Sequence, residues 1–209
     1  MTDQLSLIAP AQSAPGDELD FWETPASAIA PIMEILWERL SHRSRHVVID
    51  PGCGLGSIAI ASQYLQPRAI IGIEVHPERA KLAAERVQPG CVVCTDFLGD
   101  EMLHQRQAIG EPVLVFGNPP YSKPRKTIGV EFAERAITLA NPHGIACLLL
   151  PLDYAAGVGR CERLHERYSC ELYPLKRRPA FANNDTGKRP VAWFLWDRVE
   201  RNSEWRPIG

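Results

Sequence analysis

Five short apolar runs, four to six residues long, recur along the chain at His46–Asp50, Ala69–Glu74, Cys91–Cys94, Val113–Phe116 and Ile145–Leu150. Between most of them lie stretches with helical patterning: Ser57–Tyr64, Pro77–Val87 and Gly129–Leu139. Runs this short and this continuously apolar predict strands buried on both faces. Strands that alternate with helices predict an α/β domain, a mostly parallel sheet with helices on both faces.

Two further runs, Glu171–Leu175 and Val191–Trp196, have no helical pattern between them. They are expected to pair as a C-terminal antiparallel hairpin, bringing the sheet to seven strands. Ahead of the first strand, Ala28, Ile29, Ile32, Met33, Ile35, Leu36 and Leu40 form an apolar stripe at helical spacing. Pro25 and Pro31 put the start of that helix near them. Residues 160–168 also read as helical. The connection 176–190 is long for a compact domain, which points to function or disorder. Trp193 and Trp196 read as core residues.

A length of 209 residues suits one domain. Residues 1–19 are expected to be a flexible arm and 20–209 a single domain, with no room for a second one. No stretch is apolar enough to span a membrane, and the polar start does not read as a secretory signal. A cytoplasmic protein with six free thiols is expected. Cys91 and Cys94 form a C-x-x-C pair, but no second pair offers the remaining ligands of a metal site. They are expected to be buried strand thiols, with no metal bound. The net charge of −2 gives no gross affinity for nucleic acid. Residues 160–209, however, hold 11 Lys+Arg against 7 Asp+Glu. A basic end on an acidic body could face phosphates.

The turn Asp50-Pro51-Gly52-Cys53-Gly54-Leu55-Gly56 joins a predicted strand to a predicted helix. Glycines there permit a tight turn and close approach of a ligand to the main chain. Dinucleotide folds and plain tight turns use the same pattern, so the flanking acids carry the argument. Glu74 ends the second strand, placed to accept hydrogen bonds from ribose hydroxyls. Asp96 follows the third, beside Phe97, a pairing suited to an adenine amine and ring. Carboxyl ends of parallel strands form the ligand crevice, and Asp50, Glu74 and Asp96 all fall there.

Asn118-Pro119-Pro120-Tyr121 follows the fourth strand and opens into the same crevice. An exocyclic amine on a heteroaromatic ring is a poor nucleophile because its lone pair is delocalised. Two acceptors on its two hydrogens can draw the nitrogen towards tetrahedral geometry. The Asn118 side-chain oxygen and the Pro119 carbonyl can be those acceptors. Pro119 and Pro120 restrict the turn, and Tyr121 can lie on a flat base.

These segments resemble the class I S-adenosylmethionine-dependent methyltransferases, in the amino-methylating group with an N-P-P-Y motif. The closest likeness is to the gamma-arranged DNA adenine N6-methyltransferases. The resemblance is carried by Trp22–Pro25, Asp50–Gly56, Ile71–Pro77, Thr95–Leu98 and Val115–Ser122. It implies a Rossmann-like methyltransferase fold and S-adenosylmethionine as cofactor. The residues it implies for binding that cofactor are Thr24, Pro25, Asp50, Gly52, Cys53, Gly54, Gly56, Glu74, Val75, Asp96, Phe97 and Asn118. Glu23-Thr24-Pro25 would close over the methionine part. Asn118, Pro119, Pro120 and Tyr121 would be catalytic.

The resemblance also implies an aromatic ahead of the last strand that stacks on a flipped base, and Phe181 is the residue expected in that place. Restriction-type relatives carry a large target-recognition domain, for which this chain has no room. Lys123, Arg125 and Lys126, with Lys176, Arg177, Arg178, Lys188 and Arg189, could contact phosphates instead. The expected substrate is nucleic acid, DNA ahead of RNA. An RNA adenine methyltransferase, a protein glutamine methyltransferase and a non-catalytic nucleic-acid-binding module remain as alternatives.

Overall fold

The structure is a computed structural model and describes residues 21–41, 46–100, 113–140, 143–165, 168–181, 185–186 and 189–197. The expected 1–19 arm lies outside the described residues.

Seven strands form one sheet: β1 (Val47–Pro51), β2 (Ala69–Glu74), β3 (Cys91–Cys94), β4 (Val113–Gly117), β5 (Ile145–Pro151), β6 (Glu171–Pro174) and β9 (Val191–Asp197). Their spatial order is β3-β2-β1-β4-β5-β9-β6. β1 to β5 pair in parallel. β9 runs antiparallel to both β5 and β6. The expected hairpin is therefore present, with its last strand on the inside. A second, two-stranded sheet pairs β7 (Ala180–Phe181) with β8 (Asp185–Thr186) inside the long connection.

Strand side chains alternate between two cores. Val48, Leu114, Phe116, Cys147, Leu149, Trp193 and Leu195 pack on one face with α1 (Ala26–Leu40) and α2 (Ser57–Ala61). Val47, Ile49, Val113, Val115, Leu148, Phe194 and Trp196 pack on the other with α4 (Ile128–Ala140). The central strands β4 and β5 thus carry no charged residue, because both faces are covered. Trp193 and Trp196 are buried, and each indole N–H finds a carbonyl: Ala28 at 2.8 Å and Leu164 at 3.3 Å. Those bonds spare the fold an unpaired buried donor.

Three local expectations differ from the structure. Pro31 lies inside α1 rather than at its start. The buried stripe from Ala28 to Leu40 holds the helix despite the lost hydrogen bond. Residues 160–168 are not one α-helix: α5 is only Val158–Arg160 and runs into a π-turn over Cys161–His165. Cys91 and Cys94 are exposed, because β3 is an edge strand and α3 (Pro77–Arg86) leaves them uncovered. All six cysteines are free thiols. Among the described residues, no group of three or more His, Cys, Asp or Glu side chains gathers as a metal site would require. Among the same residues, no helix is long and apolar enough to cross a membrane.

Candidate active site

Strand order reverses between β1 and β4, and the crevice of an open α/β sheet opens at such a switch point. The structure has a cleft there, open to solvent, lined from β1, β2 and the segments after β3 and β4.

The glycine-rich turn leaves β1 through Gly52, Gly54 and Gly56, all at positive φ. A side chain on Gly56 would meet Val87 at 2.6 Å, so this glycine lets α3's end pack on the turn. The acids fasten the turn from two sides. Asp50 Oδ2 accepts the Ala59 N–H at 3.0 Å, holding the start of α2. Burial, reinforced by the Glu74 carboxylate, pushes the Asp50 pKa from its ordinary 3.8 up to about 8 despite that hydrogen bond. Glu74 Oε2 accepts the Gly54 N–H at 2.9 Å. Its Oε1 accepts from the His76 N–H at 2.9 Å and from Arg79 at 3.1 Å.

Arg79 was not anticipated, nor was Phe21. The Arg79 guanidinium lies 4.7 Å from the centre of the Phe21 ring. A side chain on Gly54 would strike that ring at 2.2 Å. Phe21 therefore lies against the turn while also lining the cleft. Sequence offers only a weak signal for either residue: an aromatic just ahead of Trp22-Glu23-Thr24-Pro25, and an arginine five residues beyond Glu74.

The lead-in to α1 is fixed by its side chains. Glu23 is buried and accepts hydrogen bonds from Ser57 Oγ at 2.6 Å and Arg86 at 3.2 Å. Thr24 is also buried, and its Oγ1 accepts from Asn118 Nδ2 at 3.0 Å. Pro25 caps α1, its carbonyl accepting from Ala28. Thr24 thus meets the turn after β4 directly.

Asn118 is held on both sides of its amide, since Tyr121 donates its hydroxyl to Asn118 Oδ1 at 2.6 Å. Pro119 is buried, and Pro120 lines the cleft near Gly52. Asp96 is exposed at the cleft and makes its own turn, accepting the Leu98 N–H at 2.9 Å. Phe97 is buried against Phe132, with ring centroids 5.0 Å apart, and both line the cleft. Cys53 lines it as a buried thiol whose pKa burial pushes up, and Val75 lines it as an exposed residue.

The basic residues divide. Lys123 and Arg125 line the cleft, but Arg125 is hydrogen-bonded to Glu131 on α4. Lys126 is exposed outside the cleft lining. Lys176, Arg177, Arg178 and Arg189 are exposed. Strand directions bring their connection to the sheet edge that holds the cleft: Pro151 at the end of β5 pairs with Val191, and Pro174 at the end of β6 pairs with Ala192. Phe181 belongs to β7 by its backbone, and Lys188 lies outside the described residues.

No family model matches the chain. An uncharacterized protein of Methanocaldococcus jannaschii is 30% identical over 118 residues, 52% of this chain and 53% of that protein. The chain thus spans about half the length of this curated relative. Among solved structures, a candidate RNA methyltransferase of Pyrococcus horikoshii superposes with a TM-score of 0.67 at 17% identity. That match covers 92% of this chain and 93% of that one. A candidate class I S-adenosylmethionine-dependent methyltransferase of Listeria monocytogenes gives 0.66 at 15% identity, over 98% and 70% of the two chains. The protein of the DrdV–DNA complex gives 0.59 at 14% identity, over 94% of this chain and 27% of that one. The fold is Rossmann-like and is the one these methyltransferases share.

Proposed function

We propose that this chain is an S-adenosylmethionine-dependent methyltransferase acting on the exocyclic N6 amine of adenine in DNA. The observation that carries the reading is the hold on Asn118, whose amide is fixed by Thr24 and Tyr121 at the mouth of the cleft. The cradle fits the cofactor. Gly52 lines the cleft, Glu74 keeps acceptor capacity on Oε2 beyond the Gly54 N–H, and Asp96 offers an exposed carboxylate. Residues 20–209 would form one methyltransferase unit.

When bound, S-adenosylmethionine supplies an electrophilic methyl on a sulfonium sulfur. The protein's part is to prepare the acceptor. Asn118 Oδ1 and the Pro119 carbonyl accept the two amine hydrogens, which turns the lone pair out of conjugation and towards the methyl. The Tyr121 ring supports the base from one face. Holding both reactants in line supplies much of the rate. The methyl would pass to the nitrogen as its bond to sulfur breaks, the bonding pair staying on sulfur, and one amine proton would then leave to solvent.

Adenine N6 is inaccessible within a duplex stack, so the base must be flipped or unpaired. Lys123 and the exposed residues Lys176, Arg177, Arg178 and Arg189 can then hold the flanking phosphates. The solved structures of this fold include both a candidate RNA methyltransferase and a DNA complex. RNA adenine is accordingly the second reading. Incubating the full chain with labelled cofactor and DNA, RNA or lysate protein, then digesting each, tests the choice. N6-methyldeoxyadenosine is expected; label confined to RNA adenosine or to protein glutamine would replace the substrate named here.

A further inference from the structure

The turn that carries Asn118 and Tyr121 hangs from β4, yet one of its strongest visible anchors comes from the next strand. Tyr154 sits in the 3₁₀ turn Leu152–Ala155 that directly follows β5. It is 2% exposed, and its hydroxyl donates to the Tyr121 backbone carbonyl at 2.8 Å. Tyr154 does not line the cleft; its hydroxyl reaches the turn through the Tyr121 main chain. The geometry points to Tyr154 as a positioning residue that sets the Asn118–Tyr121 turn for methyl transfer.

Its own surroundings are built to keep it still. The Tyr154 carbonyl is 2.9 Å from His165 Nε2, and the Arg160 guanidinium lies 4.4 Å from the Tyr154 ring centre. Arg160 is itself held by Asp153, through its backbone carbonyl at 2.5 Å and its carboxylate at 3.0 Å. Space for the hydroxyl depends on Gly129 in α4: a side chain there would stand 2.3 Å from the Tyr154 oxygen. In a helix Gly is ordinarily worse than Ala, so the absence of a side chain at 129 serves this contact.

The Tyr121 carbonyl sits next to the hydroxyl-bearing side chain that engages Asn118. Fixing the carbonyl fixes the start of that side chain, and hence where the Tyr121 ring stands beside Asn118. Thr24 restrains Asn118 from the opposite side. Without Tyr154's hydroxyl the turn keeps its prolines but loses this hydrogen bond to the segment after β5.

The catalytic half of this inference rests on the methyltransferase reading; the structural half does not. The test uses the full chain carrying Tyr154→Phe, which keeps the ring and removes the oxygen. Amide hydrogen exchange at 121–127 should speed up about tenfold, as expected for one lost hydrogen bond, while the turn 50–56 stays unchanged. Turnover should fall about tenfold, with cofactor affinity and acceptor KM within about twofold. Gly129→Ala, which crowds the same oxygen, should act similarly. Unchanged exchange at 121–127 would overturn the inference, as would a loss of cofactor affinity in step with turnover. A wild-type chain that methylates nothing would end the methyltransferase reading, and the exchange comparison would still decide whether Tyr154 holds the turn.

Discussion

The Tyr121 hydroxyl donates to Asn118 Oδ1 at 2.6 Å, occupying the acceptor that the proposed amine would use. That oxygen has a second lone pair, so an entering amine can share it with the tyrosine hydroxyl or replace the hydroxyl while the ring stays to stack. Tyr121→Phe should leave kcat/KM within about threefold of wild type, because Thr24 still orients the amide. Tyr121→Ala should lower kcat/KM by about 10- to 100-fold, the scale of one lost base–aromatic stack. Equal losses in the two variants would mean that the hydroxyl, not the ring, does the work.

Asn118→Ala should cut turnover at least about a hundredfold, as for loss of a positioned polar catalytic group. Cofactor affinity should scarcely change, since the glycine-rich turn is untouched. Thr24→Val keeps the shape and removes the acceptor for Asn118 Nδ2. Its turnover should fall less, about tenfold. Single-turnover kinetics alongside calorimetry separates the two effects, and a near-wild-type rate for Asn118→Ala would reject the mechanism.

Glu74→Ala should weaken S-adenosylmethionine binding by about 1–3 kcal/mol, the range for leaving buried donors unpaired. Part of that loss belongs to the turn itself, because Glu74 also holds the Gly54 N–H. Arg79→Ala should weaken binding less, as Glu74 retains its bonds to Gly54 and His76. Calorimetric affinity equal to wild type in a folded Glu74→Ala chain would remove Glu74 from the cofactor site.

Asp50 gives a pH signature. Its folded pKa, about 8, lies above the ordinary 3.8. Between those values the folded chain keeps a proton that the unfolded chain has released. The associated stability is complete below the lower value, declines as pH rises, and is gone above about pH 8, with a slope of up to ~1.4 kcal/mol per pH unit. Asp50→Asn, which mimics the protonated acid, should remove this decline. Urea unfolding at pH 5, 6.5 and 8 should show the variant gaining on wild type as pH rises; parallel curves would argue against a protonated Asp50.

Much of this site was readable from local chemistry. Apolar runs such as Val113–Phe116 can be little else than covered strands, and an Asn-Pro-Pro-Tyr after one of them must open at the sheet's carboxyl edge. What escaped reading depends on packing between distant segments. Nothing local distinguishes Cys91–Cys94 as an edge strand, so its thiols were expected to be buried. Phe21, Arg79 and Tyr154 acquire their roles from Gly54, Glu74 and Tyr121, and no spacing rule links those pairs. Arg125 reads as a phosphate contact until Glu131, a turn into α4, is found paired with it.

The connection 175–190 carries the substrate prediction. Lys176, Arg177 and Arg178 are exposed and follow β6, whose C-terminal end lies at the same sheet edge as the cleft. If they hold phosphates, each releases counterions on binding, and each contributes to the salt dependence without reading sequence. Replacing all three with Ala should weaken nucleic-acid binding and lower the slope of log affinity against log salt by about three. Cofactor affinity should stay unchanged, because none of the three lines the cleft. Phe181→Ala, on the same connection, should impair methylation of nucleic acid with the salt slope preserved, as expected for a stacking group rather than a charge. Titrations of a short adenine-containing duplex and of the matching single strand, at several salt concentrations, measure both effects. An unaltered slope in the triple variant would make these residues a solvated face and move the phosphate contacts elsewhere.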